Sequence, residues 1–343
     1  MKFRRVLCLL CILPGWIVFA GGNRESPALS SENYPSQNYP LSAAESPPET
    51  PVQAALPVRI EAAGIPAEHP AAGSRSEMIF RALAEAYPDR TGAIEYLDGD
   101  WTIQVYGERF YFAEGRLLPA SLRDKANYYA PQTFYGYPAE LPPWKPPTPE
   151  ESARIKEQEV LRRQKPPNRS QHFYDALWRS RSRNESWDRA KQIRFLGHPV
   201  LVHYSILTQL SLAEEQILKA AKTSTAVRWW IDNIKSIEGW NWRNISATES
   251  RSYHAYGAAI DFLPKSRGGL ETYWLWTSRS IPEWWTVPYS RRYQPPEEVI
   301  KAFESFGFIW GGKWRYYDTM HFEYRPEILV LSGIARTDLK DLR

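Results

Sequence analysis

The chain has 343 residues, which is enough for one large domain or two modest ones. Its 43 basic and 39 acidic residues leave a net charge of only +4, and a balance this even argues against a nucleic-acid-binding protein. Aromatic residues are abundant, with 15 Trp and 20 Tyr, and they suit grooves for sugars or peptides as well as core packing.

Residues 1–20 have the pattern of an export signal. A basic start precedes an apolar stretch that is interrupted by Pro14 and ends near Ala20, a small residue suited to cleavage. The stretch is short for a membrane span. We therefore expect an exported protein without stable membrane insertion after cleavage. An uncleaved signal that tethers the protein to the membrane is the alternative.

The only cysteines, Cys8 and Cys11, lie within this predicted signal. Its removal leaves the mature chain without thiols, so neither a disulfide nor a thiolate metal ligand is expected. Neither cysteine fits the cleavage pattern of a lipoprotein, and we predict no lipid anchor. Any metal site must then be built from histidines and carboxylates.

Residues 21–75 are rich in Pro, Ser, Ala and Glu and contain too few apolar residues to collapse, so we predict a disordered tether. Residues 76–143, called the front segment below, begin with apolar residues at helical spacing, and this helix is expected to stop before Pro88. Alternating residues around Gly107 then predict a β-hairpin. The front segment is a small α+β segment without a chemical motif.

Two Pro-Pro sequences, at 142–143 and 146–147, mark a boundary, and residues 144–195 are predicted to be a charged helical linker with a solvent-facing helix over Glu150–Gln164. Residues 196–335 form the last predicted domain. Its histidines at 198 and 203 are expected to be structural. Its predicted elements are a strand at Val200–Tyr204, a helix from a Ser211/Glu214 capping box to Ala221, a helix over Ala226–Ile237, a strand at Ala259–Phe262 and a helix over Pro296–Ser305.

The segment Ser252–Asp261 places a histidine and an aspartate on either side of a glycine. Imidazole nitrogen and carboxylate oxygen are both good ligands for a divalent cation such as zinc. The odd spacing of His254 and Asp261 would put them on opposite faces of a regular strand. Both can reach one ion only if the chain bends, and Gly257 permits that bend. We predict His254 on a loop and Asp261 on a buried strand, facing the site.

His321 supplies a third ligand from the distant segment Asp318–Glu323. Asp318 is expected to lie near the metal without binding it. Two histidines, one carboxylate and an open position are the layout of a hydrolytic zinc site, in which a nearby carboxylate moves the proton of the attacking water. Arg243 precedes the first segment and is a candidate for holding a substrate carboxylate or carbonyl, with a surface ion pair as the alternative.

These motifs resemble one known family. Ser-x-His-x-x-Gly-x-Ala-x-Asp at 252–261, Trp-Gly-Gly-x-Trp at 310–314 and Asp-x-x-His-Phe-Glu at 318–323 are similar to the signature of the D-alanyl-D-alanine carboxypeptidase family of zinc peptidases. That family includes vancomycin-resistance dipeptidases and phage L-alanyl-D-glutamate endolysins, and it shares its fold with the hedgehog signalling domain. The resemblance covers roughly residues 200–326, and the last two motifs most resemble the endolysin-like branch.

The resemblance implies an α+β fold, in which a small antiparallel sheet is flanked by helices. It implies that Zn²⁺ is bound by His254, Asp261 and His321, that Asp318 is the general base, and that Arg243 matches an arginine found upstream of the first motif. The three ligands come from segments that are far apart in sequence, so the fold must bring them together.

Ser252, Trp310 and Trp314 are expected to contact the substrate. The chain departs from the family at two places. Lys313 stands where the endolysin-like branch often has an acidic or amide residue, and the span between the two halves of the site is long and rich in Trp. Both departures concern the choice of substrate.

The function implied by the resemblance is zinc-dependent cleavage of peptidoglycan stem peptides, next to a D-amino acid, in the periplasm or at the cell wall. An endopeptidase and a carboxypeptidase that trims terminal D-alanine both stay open. The alternative from another class is a catalytically silent module for wall binding or signalling on the same fold. The front segment would either bind wall polymer or pack on the catalytic part.

Overall fold

The computed structural model describes residues 73–337. The predicted export signal and nearly all of the predicted tether lie outside these residues. The described chain mixes helices with small antiparallel sheets. Its helices are α1 (Arg75–Ala86), α2 (Pro149–Gln164), α3 (His172–Leu177), α4 (Arg183–Arg189), α5 (Leu207–Ala221), α6 (Thr225–Asp232), α7 (Trp274–Thr277), α8 (Glu297–Ser305) and α9 (Pro326–Leu331).

Three antiparallel sheets are described within the same residues. The front sheet has the order β1-β2-β3-β4, the central sheet has the order β7-β8-β10-β9, and β5 and β6 form a hairpin. The strands are β1 (Thr91–Leu97), β2 (Asp100–Val105), β3 (Glu108–Tyr111), β4 (Leu118–Pro119), β5 (Ala190–Phe195), β6 (His198–His203), β7 (Ile234–Glu238), β8 (Ala259–Pro264), β9 (Phe308–Trp310) and β10 (His321–Tyr324).

The central sheet separates an apolar face from a polar one. Side chains alternate along a strand, so Phe262 of β8 and Phe322 of β10 point to one face, and Asp261 and His321 point to the other. The apolar face is covered by α8, whose Phe303 stacks on Phe322 with ring centroids 4.3 Å apart. The alternation of side chains along β8 and β10 therefore places Asp261 and His321 on the face that carries the site.

The front segment and the rest of the chain share one hydrophobic core. Helix α1 packs against α9, and the ring of Tyr87 meets the rings of Trp178 and Tyr324 edge to face at 6.2 Å. Packing is thus one role that the front segment has in the fold. The domain limits expected from the sequence remain predictions.

The helix predicted over Ala226–Ile237 is wrong in its second half. Helix α6 ends at Asp232, and the next residues form β7, an edge strand that pairs with β8. A short apolar run can form either a helix or a strand, and its sequence pattern alone does not distinguish them. Here the hydrogen bonds to β8 make residues 234–238 a strand. This error concealed one side chain of the site, Glu238.

The capping box predicted at Ser211 is also absent. Helix α5 begins one turn earlier, at Leu207, so Ser211 lies inside the helix. The carboxylate of Glu214 instead accepts a hydrogen bond of 2.5 Å from the backbone N–H of Leu196. The side chain of Glu214, which the local pattern assigned to a helix cap, therefore makes a tertiary contact instead.

Helix α2 is expected from the sequence to face solvent as a spacer. It packs instead on the Trp-rich span, the segment between Asp261 and Trp310 that contains Trp274, Trp276, Trp284 and Trp285. Glu159 is buried and accepts a 2.5 Å hydrogen bond from the hydroxyl of Tyr316. The guanidinium of Arg162 lies over the rings of Trp274 and Tyr316, at 5.0 and 4.6 Å from the centroids. Along residues 73–337, no helix is long and apolar enough to cross a membrane.

Candidate metal centre

His254 lies on a short 3₁₀ turn, Tyr253–Tyr256, between β7 and β8. The hydroxyl of Ser252 caps this turn by accepting the backbone N–H of His254 at 3.3 Å. Gly257 ends the turn with φ 68°, in the left-handed region, and its carbonyl accepts the N–H of His203 at 2.8 Å. The bend that the sequence requires between His254 and Asp261 is therefore present, with glycine at its centre.

Replacing Gly257 with alanine is expected to destabilise the fold by more than about 1 kcal/mol, because an L side chain is strained at positive φ. The added Cβ would also lie 2.7 Å from the backbone nitrogen of His203. Gly99→Ala is the matched control, since Gly99 has φ +77° but open space around the new Cβ. Urea denaturation of both variants should show the larger loss for Gly257→Ala, and equal losses would contradict the importance of this contact.

Three side chains converge on the polar face of the central sheet. Strand pairing sets His321 of β10 directly opposite Asp261 of β8, and the turn brings His254 over them. His254 Nε2 lies 3.2 Å from His321 Nδ1 and 3.2 Å from Asp261 Oδ2, and His321 Nδ1 lies 2.8 Å from Asp261 Oδ1. Within residues 73–337, these three form a group that could hold a metal ion.

The hydrogen bonds of each imidazole direct its other nitrogen to the point where a metal could bind. His254 Nδ1 lies 2.6 Å from the carbonyl oxygen of Gly239, which can only accept, so Nδ1 carries the proton. His321 Nε2 lies 3.1 Å from Glu323 Oε2 and donates to that carboxylate. The neutral tautomers therefore present His254 Nε2 and His321 Nδ1 as ligands, each oriented by a partner on the other nitrogen.

The spacing of the ligand atoms fits zinc. Zinc bonds of about 2.0–2.1 Å at tetrahedral angles place neighbouring ligand atoms roughly 3.3 Å apart. The distances of 3.2, 3.2 and 2.8 Å are within a few tenths of this value or slightly shorter. Two imidazoles and one carboxylate also match the ligand types of catalytic zinc sites, which keep a fourth position open. His254, Asp261 and His321 are the residues that would hold the ion.

The electrostatics of the site favour a bound cation. Burial alone would raise the pKa of Asp261, but the charges and hydrogen bonds of His254 and His321 hold it well below its usual range. Burial would lower the pKa of His321, yet the carboxylates of Asp261 and Glu323 raise it to about 10. The buried carboxylates thus stabilise positive charge at the point where the ligand atoms meet.

Asp318 lies beside this group without belonging to it. Its Oδ1 accepts the backbone N–H of Met320 at 3.3 Å. Burial, followed by the negative charge of Asp261, raises the pKa of Asp318 to about 7, while His321 and Arg243 oppose the shift. A carboxyl group with a pKa near neutrality, next to a metal site and outside its ligand set, is suited to moving a proton.

Arg243 is exposed, and its guanidinium donates to the carbonyl of Asn244 at 3.3 Å. Its charge lowers the pKa of both Asp318 and Glu238, so it lies within electrostatic reach of the site. Among the described residues no carboxylate is found within ion-pair distance of Arg243, and the surface ion pair that the sequence left open is not formed.

Two residues beside the site were not recognised in the sequence. Glu238 of β7 lies opposite Asp261 of β8, which puts both side chains on the polar face, and partial burial and the charge of Asp261 raise its pKa. Tyr273, in the Trp-rich span, forms a β-bridge with Asp318, and burial followed by the charge of Asp318 raises its pKa to about 12. Neither belongs to the motifs, and only the fold places them.

The predicted substrate contacts have different positions. Trp310 is 1% exposed, and its Nε1 donates to the carbonyl of Thr319 at 2.9 Å, so in this structure it packs in the core and does not line the site. Ser252 is also buried and positions His254 through the turn instead. Trp314 is half-buried and packs its ring against His321, with centroids 5.4 Å apart, so it forms a wall of the site.

Lys313 points away from the metal ligands. Its ammonium donates to Glu304 at 2.6 Å and to the carbonyls of Pro138 and Ala139 at 3.0 and 2.8 Å. Glu304 also accepts the hydroxyl of Tyr137. The lysine that departs from the family pattern therefore ties the front segment to the loop that carries Trp314.

A carboxylate-rich face with two oriented imidazoles and one unligated carboxylate has the layout of a hydrolytic metal centre. Residues 246–324 match the model of a family described as D-alanyl-D-alanine carboxypeptidase, and this segment is therefore similar to that peptidase family. Residues 79–134 match a domain of unknown function (DUF8518). The chain has no significant match among curated proteins or solved structures.

Proposed function

We propose that the protein is an exported zinc peptidase that hydrolyses peptide bonds in peptidoglycan stem peptides, next to a D-amino acid. The observation that carries the proposal is the match of residues 246–324 to a peptidase family, because all three ligand candidates and Asp318 lie within it. The convergence of those ligands in space supports it independently of the match.

The fold we propose for residues 196–335 is the one that this family shares with the hedgehog signalling domain. The central sheet supports it, since β8 and β10 carry the ligands on one face and α8 covers the other. The proposed location, the periplasm or the cell wall, is supported by the export pattern of residues 1–20 and by a substrate that is found outside the cytoplasm.

The zinc ion and the side chains of the protein would contribute different parts of the hydrolysis. When bound, zinc supplies Lewis-acid polarisation and acidifies water. Asp318 accepts a proton from the attacking water and returns it to the leaving amine. Glu323 and the carbonyl of Gly239 keep the two imidazoles aimed at the ion. Arg243 is placed to hold a carboxylate or carbonyl of the stem peptide.

The walls of the site come from three parts of the chain. Trp314 covers one side of His321, and Tyr273 lies against Asp318 on another. Behind Tyr273, the Trp-rich span forms a small core of its own around Trp274 and Trp284, and α2 packs on it. This second core supports Tyr273, which packs on it beside Asp318.

A catalytically silent module for wall binding or signalling is the competing function. A silent module has no need for a proton carrier, and Asp318 is present beside the ligands without belonging to their group. Its presence there favours the peptidase. The two functions differ in whether stem peptides are cut.

Digestion of purified peptidoglycan by the zinc-loaded protein is expected to release soluble fragments, which mass spectrometry identifies. Release of D-alanine alone indicates a carboxypeptidase, and release of longer fragments indicates an endopeptidase. The His254→Ala protein serves as the blank, because it lacks a metal ligand. Binding to peptidoglycan without any released fragment would reject the peptidase and favour the silent module.

A further inference from the structure

We propose that the front segment sets the metal affinity of the site through a buried chain of hydrogen bonds that joins Tyr87 to His321. The chain passes through Glu327, Arg325 and Glu323. The proposal rests on the metal site described above, and it assigns a role to a segment whose family match carries no function. It makes Tyr87 a positioning residue, since it touches neither the ion nor the substrate.

The inner half of the chain begins at the metal ligand. His321 Nε2 donates to Glu323 Oε2 at 3.1 Å, and Arg325 Nη1 donates to the other oxygen, Glu323 Oε1, at 3.4 Å. Glu323 therefore has one oxygen for the imidazole and one for the guanidinium. Arg325 also lies over the ring of Tyr253, at 4.9 Å from its centroid, next to His254 in the turn. One arginine thus supports the surroundings of both histidine ligands.

The outer half of the chain ends in the front segment. Arg325 Nε donates to Glu327 Oε1, and the hydroxyl of Tyr87 donates to Glu327 Oε2 at 2.9 Å. Arg325 Nη2 donates to the backbone carbonyl of Thr133, also in the front segment, at 3.2 Å. Glu327 is 0% exposed, Tyr87 is 1% exposed and Arg325 is 3% exposed. Water therefore cannot replace a partner that is lost.

Burial makes the links depend on one another. A buried carboxylate requires a donor for each oxygen, and leaving one unpaired is costly. Without the Tyr87 hydroxyl, Glu327 Oε2 has no donor among residues 73–337, and Glu327 competes more strongly for the guanidinium of Arg325. The hydrogen bond between Arg325 and Glu323 is the longest of the series, at 3.4 Å, so we expect it to be the one that breaks. Glu323 then orients His321 less well.

The test compares zinc affinity in the full chain for the native protein and for Tyr87→Phe, by competition with a chelator of known affinity. We expect Tyr87→Phe to bind zinc about 3- to 10-fold more weakly, which is less than the roughly 10- to 100-fold lost when a residue bonded directly to a ligand is changed. The Co²⁺-substituted variant should also show altered d–d absorption bands, because the imidazole of His321 is less firmly held.

Tyr111→Phe is the matched control. Tyr111 is in the same front segment and donates to Asp98 at 2.7 Å, but it has no link to the ligands. Its zinc affinity and cobalt spectrum should equal those of the native protein, with melting of the metal-free proteins measured alongside. A native affinity in Tyr87→Phe, or equal losses in both variants, would overturn the proposal while leaving the metal site intact. Absence of zinc binding by the native protein would overturn both.

Discussion

The Asp318→Asn protein is expected to cleave stem peptides about 100- to 10,000-fold more slowly than the native protein, which is the usual cost of losing general acid–base help. Asparagine has nearly the shape of aspartate and can still accept the backbone N–H of Met320 at Oδ1. What it lacks is the charge and basicity that let a carboxylate take a proton. The loss should therefore fall on turnover.

Zinc content and binding to intact peptidoglycan should be almost unchanged in Asp318→Asn, because Asp318 is outside the ligand group. Asp124→Asn, an exposed aspartate in the front segment, is the control for the loss of one carboxylate. Cleavage is followed by fragment release and zinc by elemental analysis of the same samples. Turnover of Asp318→Asn within tenfold of native would exclude Asp318 as the base.

If Asp318 is not the base, the sequence offers Glu323, in the same motif, as the next candidate. Glu323 is the obvious carboxylate near the motif, but its two oxygens are taken by His321 and Arg325. A residue in that position orients a ligand and cannot leave it to move protons. Glu238 lies on the same face, beside Asp261, and is exposed. It is the better second candidate, and Glu238→Gln would test it.

The sequence could predict that His254, Asp261 and His321 converge, because these residues are concentrated in two short motifs. His254 and Asp261 required a bend at Gly257, and the turn is found there with a positive φ. A third ligand had to come from elsewhere, and His321 is in register with Asp261 on the neighbouring strand. Local residue types and strand periodicity were sufficient for these inferences.

The surroundings of the site could not be predicted, because they depend on contacts between residues that are far apart in sequence. Tyr87 reaches Glu327 across 240 positions, and Lys313 reaches Pro138 across 175. Neither contact leaves a periodic signal in the sequence. Trp310 shows the same limit, since a tryptophan in a motif can be a substrate contact or a core residue, and only burial distinguishes them.

Secondary structure was predictable where one local preference was strong. The first helix stops before Pro88, and the hairpin around Gly107 is formed by β2 and β3. The errors fell where tertiary pairing decided the outcome. β7 follows directly on a helix and takes its conformation from β8. α2 has the charge pattern of a solvated helix, but it buries Glu159 against the hydroxyl of Tyr316.

His254→Ala is expected to weaken zinc binding by more than about 100-fold, since changes to residues that only orient a ligand already cost 10- to 100-fold. The substitution removes the one nitrogen that lies 3.2 Å from both other ligands. It leaves Asp261 and His321 paired with each other, and two ligands alone cannot define a tetrahedral site.

His198→Ala is the control for the loss of one histidine, because His198 begins β6 and is not part of the ligand group. After dialysis against buffer with trace zinc, elemental analysis should give close to one zinc per native or His198→Ala chain and almost none per His254→Ala chain. We expect His254→Ala to fold, because Ser252 can still cap the backbone turn. Circular dichroism checks that it does. Full zinc occupancy in a folded His254→Ala protein would contradict the ligand assignment, because Asp261 and His321 would then bind the ion without the nitrogen that His254 supplies.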